Sequence, residues 1–274
     1  MKLKLFKALP IFIFSFWGLI ACHSDLVTKN YETTILKNAV SLSIPQIQDN
    51  EEIELIKNQK VKSISYISYN SDSTKMDSLT YVEFDLNGKI LRRTTTENTT
   101  QGCLPYMMRQ EFIYEGDRIK KVIDYTFKFV ANSVLENWLI TDTAKLKMFD
   151  WEDYTYNGDT VIVESGFAIH TFLKNDKGTV IKRTTLAKTN KQLLSCDYKF
   201  EETAVIEQVE RSGYDDSSII EYLVNNNSVL QKYNNEDDEY LTDFNFNENG
   251  LLKSKTFYLN KDKEAHIVAN YSYY

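Results

Sequence analysis

From about Val61 to the C-terminus, apolar and polar residues alternate along the chain with a period of two. The clearest run is IKKVIDYTFKFV, from Ile119 to Val130, in which every second residue starting at Ile119 is mostly apolar and the others are mostly polar. A strand places alternate residues on one face, whereas a helix would spread them around its circumference. The pattern predicts β-strands, and in this one it predicts Ile119, Ile123 and Tyr125 on the same face.

Short turn segments rich in Asn, Gly or Asp separate the alternating runs. A large apolar residue precedes each turn and an aliphatic residue follows it. Asn-Gly and Gly-Asp tolerate the positive φ that tight hairpins require. The sequence thus predicts repeated β-hairpins in which the two residues face each other across the strands. The seven pairs are Phe84 with Ile90, Tyr114 with Ile119, Tyr156 with Val161, Phe172 with Val180, Phe200 with Val205, Val224 with Val229, and Phe246 with Leu252.

Turns of different length reach the same pairing. FDLNGKI leaves five residues between its pair, which fits a three-residue loop with Gly88 in the left-handed conformation. YNGDTV leaves four, which fits a two-residue turn. Agreement between different turn lengths supports the hairpin prediction better than any single turn does.

The residues two positions outside each pair fall on the same predicted face. Before the pair they are mostly aromatic or apolar, and after it many have long polar side chains, whose stems can cover a ring. The predicted fold class is therefore all-β, an extended antiparallel meander of repeated β-hairpins with a partly open face, and closure into a barrel is left open. The residues after the pairs are Arg92, Lys121, Val163, Lys182, Glu207, Gln231 and Ser254.

The N-terminal residues follow another pattern. MKLKLFKALPIFIFSFWGLIAC begins with three lysines and continues with an apolar run, residues 8–20, that is too short for an ordinary membrane span but suits a secretory signal. The run ends in LIAC, which resembles the lipobox of bacterial lipoproteins. The resemblance implies a signal peptide over residues 1–21 and acylation of Cys22, and a plain signal peptide with a chance cysteine is the alternative.

Three acyl chains on Cys22 would hold the protein on a membrane permanently. The predicted location is the cell envelope, with the anchor in the outer membrane and its face undecided. Residues 22–60 are predicted to be the lipidated cysteine and a tether, with one short helix in DNEEIELIKNQK capped by Asp49 or Asn50. Residues 61–274 are predicted to form the hairpin domain.

Removal of the signal peptide would take away three lysines and no acid, so the formal charge would change from −7 to −10. Because phosphate binding needs a basic surface, nucleic acid is excluded as a partner. Basic pairs on the returning strands could form a ladder for an anionic partner such as an acidic glycan, namely Arg92 with Arg93, Lys120 with Lys121, Lys182 with Arg183, and Lys253 with Lys255. The favoured interpretation is that they balance acids on neighbouring strands.

The unit FDLNGKI at residues 84–90 resembles the YD repeat of exported RHS-like bacterial proteins, whose units read roughly Tyr-Asp-x-x-Gly-Arg-Leu. FNFNENGLL, residues 244–252, keeps the spacing without the acid. The resemblance covers about residues 61–274 and implies small envelope lipoproteins built of such hairpins, a class whose function is mostly unassigned.

Two further cysteines, Cys103 and Cys196, could form a disulfide in an exported compartment, although their separation says nothing about proximity. The histidines are His23, His170 and His266, and none stands at ligand spacing from a cysteine or another histidine. Neither a metal nor a cofactor is therefore predicted.

Motifs for catalysis are missing, since Ser165 in VESGF lacks the upstream glycine of a nucleophile elbow. An enzyme thus ranks behind two binding functions. The first is non-enzymatic docking or scaffolding of an envelope protein partner on the sheet surface. The second is binding of a glycan by exposed rings, since aromatic side chains stack on sugars. The candidate binding face comprises Trp138, Trp151, Tyr154, Tyr198 and Tyr222.

Overall fold

The computed structural model describes residues 31–43, 47–48, 50–72, 76–97, 106–128, 147–189, 191–212, 217–234 and 238–274. Within them, two helices precede sixteen strands, with α1 over residues 31–41 and α2 over Asn50–Asn58. The strands are β1 (Val61–Asn70), β2 (Met76–Phe84), β3 (Ile90–Glu97), β4 (Tyr106–Glu115), β5 (Arg118–Lys128), β6 (Lys147–Asn157), β7 (Thr160–Glu164), β8 (Ala168–Lys174), β9 (Val180–Ala187), β10 (Leu193–Phe200), β11 (Ala204–Arg211), β12 (Ser217–Asn225), β13 (Ser228–Asn234), β14 (Glu239–Phe246), β15 (Leu252–Leu259) and β16 (Asp262–Tyr273).

The strands form a closed antiparallel barrel. Each strand pairs with its neighbour in sequence, and β1 pairs with β16 to close the ring. The prediction of an all-β antiparallel fold is confirmed, but the partly open-faced sheet is wrong. Closure removes both free sheet edges and gathers the inward side chains of all sixteen strands around one interior.

Six of the seven predicted cross-strand pairs are confirmed by the strand register. The exception is Phe172 with Val180, since Val180 lies opposite Lys174 and Phe172 lies opposite Arg183. The turn between β8 and β9 is therefore shorter than the sequence suggested, because β8 continues to Lys174 while β9 begins at Val180.

Three of the turns use the same hydrogen bonds. They begin at Asp85, Asn175 and Asn247, and in each the side-chain Oδ1 accepts the backbone N–H groups of the third and fifth turn residues at 2.8–3.0 Å. The fourth residue is a glycine with φ of 80–82°. This conformation favours glycine, and the predicted left-handed Gly88 is confirmed.

Four hairpins contain a β-bulge directly after the turn, at which two residues lie opposite one. The extra residue moves the following side chains to the opposite face, so that Val82 lies opposite Arg93 instead of Arg92, and Phe244 lies opposite Lys255 instead of Ser254. The sequence predicted Arg92, Lys121, Lys182 and Ser254 on the same face as the turn-flanking pairs, and this prediction is therefore wrong. The extra residues are Leu91, Lys120, Ile181 and Lys253.

The same effect overturns the predicted face of β5. The strand itself is confirmed, but the bulge at Lys120 places Val122 inside the barrel, where it is fully buried. Ile123 points outward, opposite the exposed Trp151. The apolar stripe that the sequence shows on one face is thus divided between the two sides of the wall.

The interior is packed with apolar side chains from the wall and from both helices. Phe172, Tyr222 and Phe244 are fully buried. One face of α1 packs against them with Ile35, Leu36, Ala39 and Val40, and α2 contributes Ile56 to a second cluster with Val82, Phe84, Ile90 and Leu251. The short helix predicted within residues 49–60 is confirmed as α2. Residues 31–41, predicted as part of a tether, form an interior helix instead.

Both helices are held against the tight turns at one end of the barrel. Asn38 Nδ2 of α1 donates to the Gly250 carbonyl at 3.0 Å, and Gln48 Nε2, between the helices, donates to the Gly88 carbonyl at 2.8 Å. At Gly88 a side-chain Cβ would overlap the carbonyl oxygen of Ile53 in α2. The helices therefore close this end of the interior. No helix in the described part of the chain is long and apolar enough to cross a membrane.

Charged side chains pair across the outside of the wall. Glu83 pairs with Arg92, Lys121 with Asp153 at 3.4 Å, and Lys182 with Asp197 at 2.9 Å. The predicted balancing of basic residues by acids on neighbouring strands is confirmed for these pairs.

Candidate functional site

A cavity of about 330 Å³ lies inside the barrel, between the helices and the wall formed by β15, β16, β1, β2 and β3. Its volume falls in the range of roughly 300–1,000 Å³ that is usual for small-molecule sites. About half of the lining is apolar, namely Leu42, Ile47, Val82, Phe84, Ile90, Leu252 and Ile267. The polar lining consists of Ser41, Gln48, Glu52, Tyr66, Thr80, Arg93, Thr95 and Lys255.

Two β-bulges supply the cations of this cavity. The extra residue Leu91 turns Arg93 inward on β3, and the extra residue Lys253 turns Lys255 inward on β15. In a regular hairpin Arg93 and Lys255 would both point outward. The local backbone irregularity is therefore what gives the cavity its positive charge.

Lys255 is held by aromatic rings and lacks an anionic partner. Its Nζ lies 4.7 Å from the ring centroids of both Phe244 and Phe257. Among the described residues it takes part in no hydrogen bond or ion pair, and burial lowers the pKa of its ammonium group to about 8. The ammonium group can donate three hydrogen bonds, and no described residue accepts one of them. An anion in the cavity could accept them.

The other charged groups of the lining have partners. Glu52 Oε2 accepts a hydrogen bond from Ser41 at 3.5 Å, and Arg93 Nη1 donates to Gln110 Oε1 at 3.3 Å. Arg93 also lies over the Phe112 ring at 5.8 Å. Burial, together with the negative charge of Glu52, raises the pKa of the Tyr66 hydroxyl far above its ordinary value. Tyr66 is therefore neutral, and Lys255 is the lining cation that lacks a described polar partner.

A second polar group in the interior consists of Glu207, Tyr198, Tyr222 and Arg183, which contact one another. Glu207 accepts hydrogen bonds from the hydroxyl groups of Tyr198 at 3.1 Å and Tyr222 at 3.0 Å. Arg183 Nη2 lies 3.8 Å from Glu207 Oε1 and donates to Cys196 Sγ at 3.3 Å. These contacts join neighbouring strands of the wall.

The predicted aromatic binding face is not formed. Tyr154, Tyr198 and Tyr222 are buried in the interior, with the Tyr154 hydroxyl donating to Glu152 at 3.0 Å. The prediction that these tyrosines form a binding face is therefore wrong, because their strands direct them into the barrel. Trp151 is exposed on the outside, and Trp138 lies outside the described residues.

Neither the disulfide nor the lipid attachment site lies wholly within the described chain. Cys196 is a buried free thiol, while Cys103 and Cys22 fall outside the described residues. Burial raises the pKa of the Cys196 thiol, which disfavours its reactive thiolate form.

The carboxyl groups of Asp124, Asp150 and Glu152 lie near one another in the interior. Asp124 accepts a hydrogen bond from Gln110 at 2.9 Å, and Asp150 accepts one from the Gly166 N–H at 3.1 Å. Burial, with repulsion from Asp150 as a smaller cause, raises the pKa of both Asp124 and Glu152. Within the described residues, no group of three or more His, Cys, Asp or Glu side chains is arranged to hold a metal.

A second cavity, of about 340 Å³, lies among the turns of the helix-capped end. Many of its lining residues are charged or polar turn residues, including Asp117, Arg118, Asp159 and Lys177. Ile47 and Gln48 line both cavities and therefore lie between them. The first cavity is the better candidate because it combines an apolar lining with an unpaired cation.

Sequence reasoning named Arg93 and Lys255 only as members of a possible basic ladder on the sheet, not as residues of an interior site, and it missed Glu52. A partial signal for one bulge existed, since the doublet Ile90-Leu91 breaks the alternation of β3. The pair Leu252-Lys253 keeps the alternation, so nothing in the sequence marks the bulge that turns Lys255 inward. Glu52 belongs to a helix whose position inside the barrel is a tertiary property.

Comparisons with known proteins give no family. No protein-family model and no curated protein matches the chain. Among solved structures, the chain is similar to a porin-like protein from Bacteroides uniformis ATCC 8492, with 7% sequence identity and a TM-score of 0.40. The match covers 78% of this chain and 96% of that one. The strand pairing of this chain, not that likeness, defines its barrel.

Proposed function

We propose that this protein is a non-enzymatic, lipid-anchored binding protein of the cell envelope, with its ligand site inside the barrel. The observation that carries the proposal is the half-apolar interior cavity edged by an unpaired lysine. The sequence predicts docking on the outer surface of the sheet. We place the site inside the barrel instead, because the aromatic residues of the repeats point inward. The envelope location rests on the lipobox resemblance around Cys22.

Co-purification tests the proposal even though the ligand is unidentified. The intact protein is purified from cells, and small molecules released on denaturation are identified by mass spectrometry. Thr80→Phe would fill the cavity, because Thr80 is a lining residue of the inner face. Ser65→Phe adds the same ring to the outer face of the adjacent strand β1, which pairs with β2.

We expect one class of small molecule to accompany the wild type and Ser65→Phe and to be lost from Thr80→Phe. Circular dichroism and thermal unfolding establish that both variants keep the barrel. Equal small-molecule content in all three proteins would refute binding in the cavity.

A protein partner on the outer wall is a second candidate, because exposed apolar side chains cluster there. Phe149 and Phe167 are 60% and 54% exposed, and their ring centroids are 5.9 Å apart. Met148 is 60% exposed beside them. These groups offer no hydrogen bonds, which favours an apolar protein surface over a sugar. Trp151 suits a glycan less, since Lys121 lies over its ring at 5.4 Å.

Cross-linking in living cells, followed by pull-down and mass spectrometry, tests this candidate. The double variant Phe149→Ser, Phe167→Ser should lose a specific protein partner. Leu223→Ser, which removes an exposed apolar side chain from β12, should keep it. Recovery of the same proteins with all three chains would exclude docking at the Phe149–Phe167 cluster.

A further inference from the structure

We infer that the ligand of the interior cavity is an amphipathic monocarboxylate, whose carboxylate pairs with Lys255 and whose apolar chain lies along Val82, Phe84, Ile90 and Leu252. The inference rests on the proposed function and names the chemistry of its ligand. Three features of the cavity support it.

The first is the set of contacts that Lys255 makes at the edge of the cavity. Two phenyl rings contact its ammonium group, and no described carboxylate lies within ion-pair distance of it. Cation–π contacts compensate only part of the lost hydration of an ammonium ion. A ligand carboxylate would supply charge-assisted hydrogen bonds that the protein itself does not provide.

The second feature is the charge balance of the lining. Arg93 and Lys255 are opposed by Glu52 in the same cavity. Glu52 would repel a second negative charge on a ligand, whereas a single carboxylate can be matched by the unpaired lysine alone. A monoanion therefore fits this lining better than a phosphate dianion does.

The third feature is the composition of the remaining wall. Val82, Phe84, Ile90 and Leu252 are buried inner-face residues at the level of the helix-capped end. They offer no hydrogen bonds, so a polar ligand body would lose its hydration there without compensation. A flexible or cyclic hydrocarbon would gain from the contact.

The test compares two ligands that differ only in the head group. Decanoate and decan-1-ol are titrated calorimetrically into the intact protein held in lipid nanodiscs at pH 7, and empty nanodiscs provide the blank. Three chains are used: the wild type, Lys255→Met, and Lys253→Met. Lys253 is the exposed bulge residue of the same strand, so its replacement removes a lysine charge without touching the cavity.

We expect decanoate to bind the wild type about tenfold or more tighter than decan-1-ol, because a hydrogen bond to a charged group contributes at least that factor. Lys255→Met should abolish this preference while still binding decan-1-ol, which also shows that its cavity is intact. Lys253→Met should behave as the wild type.

Two failures are distinguishable. If all three chains bind decanoate and decan-1-ol equally, the pairing with Lys255 is wrong and the cavity remains a binding site. If neither ligand binds the wild type above the blank, both the ligand class and the proposed cavity function are wrong.

Discussion

Lys255 is a buried cation that lacks a described anionic partner, and its burial lowers the free energy of unfolding. It is directed into the barrel between Phe244 and Phe257, and burial lowers its pKa from 10.5 to about 8. Charged groups are rarely buried without a partner unless they serve a function. The lysine therefore has consequences that can be measured both with and without a ligand.

The lowered pKa predicts a specific pH dependence of stability. Between pH 8 and 10.5 the unfolded chain binds a proton at Lys255 that the folded chain does not, so the free energy of unfolding rises with pH across this window. Below about pH 8 the folded chain carries the protonated Lys255, so the whole destabilisation from its burial is present. Replacing Lys255 with Met should therefore raise the free energy of unfolding at pH 7 by about 1–3 kcal/mol.

Urea unfolding at pH 7 and pH 10 measures this effect. The gain from Lys255→Met should shrink at pH 10, because the wild-type lysine is then largely neutral in the fold. Burial raises the pKa of Tyr66, which lines the same cavity, above this range. Glu52 lines the same cavity, so the measurement is repeated in Glu52→Gln to remove its contribution to the pH dependence. A Lys255→Met protein less stable than the wild type at pH 7 would contradict the assignment.

Glu207 is the opposite case, a buried charge whose hydrogen bonds are provided by the protein. It accepts from Tyr198 and Tyr222 and lies 3.8 Å from Arg183. Glu207→Ala would leave two buried hydroxyl groups and a guanidinium without their partner, so we expect a loss of about 3 kcal/mol in unfolding free energy. Glu207→Gln keeps the shape and an acceptor and should lose less.

Chemical denaturation of both variants checks the prediction. Glu210→Ala on the outward face of the same strand provides the control, and it should change stability by less than about 0.5 kcal/mol. Equal effects of Glu207→Ala and Glu210→Ala would mean that the tyrosines need no buried acceptor.

At the scale of elements, the hairpin turns do more than reverse the chain. The turns containing Gly88 and Gly250 receive the helices, through the hydrogen bonds of Gln48 to Gly88 and Asn38 to Gly250. Both glycines have positive φ, near 80°. Gly88 must also lack a side chain, because α2 lies against it.

Gly88→Ala and Gly116→Ala separate these two requirements. Both glycines have positive φ, 82° and 62°, but a Cβ at Gly116 would meet nothing within 4 Å. Gly116→Ala should cost about 1 kcal/mol from backbone strain alone. Gly88→Ala should cost about 3 kcal/mol, because α2 must also move. Urea unfolding measures both, and equal losses would show that α2 does not depend on this turn.

At the scale of the molecule, the barrel separates its functions in space. Cross-strand ion pairs occupy the outside, the helices close one end, and the candidate ligand site lies inside. If Cys22 carries the proposed lipid, this arrangement would let the barrel bind a small molecule while the N-terminus is attached to a membrane. The proposed lipid site and the proposed ligand site lie in different parts of the chain, so each can be tested without the other.

The anchor makes a prediction for the whole protein. With Cys22→Ala, labelling by a radioactive fatty acid should be lost, and the protein should leave the membrane fraction, since stable attachment needs the acyl chains. Cys103→Ala should keep both label and membrane attachment. Label retained in Cys22→Ala would show that the lipobox resemblance is misleading.

Local sequence pattern was sufficient to predict the strands, six of the seven turn-flanking pairs and the short helix α2. Alternation and turn chemistry are local properties, so Phe84 opposite Ile90 and Phe200 opposite Val205 could be predicted from neighbouring residues. Closure of the barrel could not be predicted in this way, because the β1–β16 pairing joins the first and last strands of the described chain. It also decided which face is buried, since one-residue bulges redirected Arg93 and Lys255 into an interior that local pattern cannot reveal.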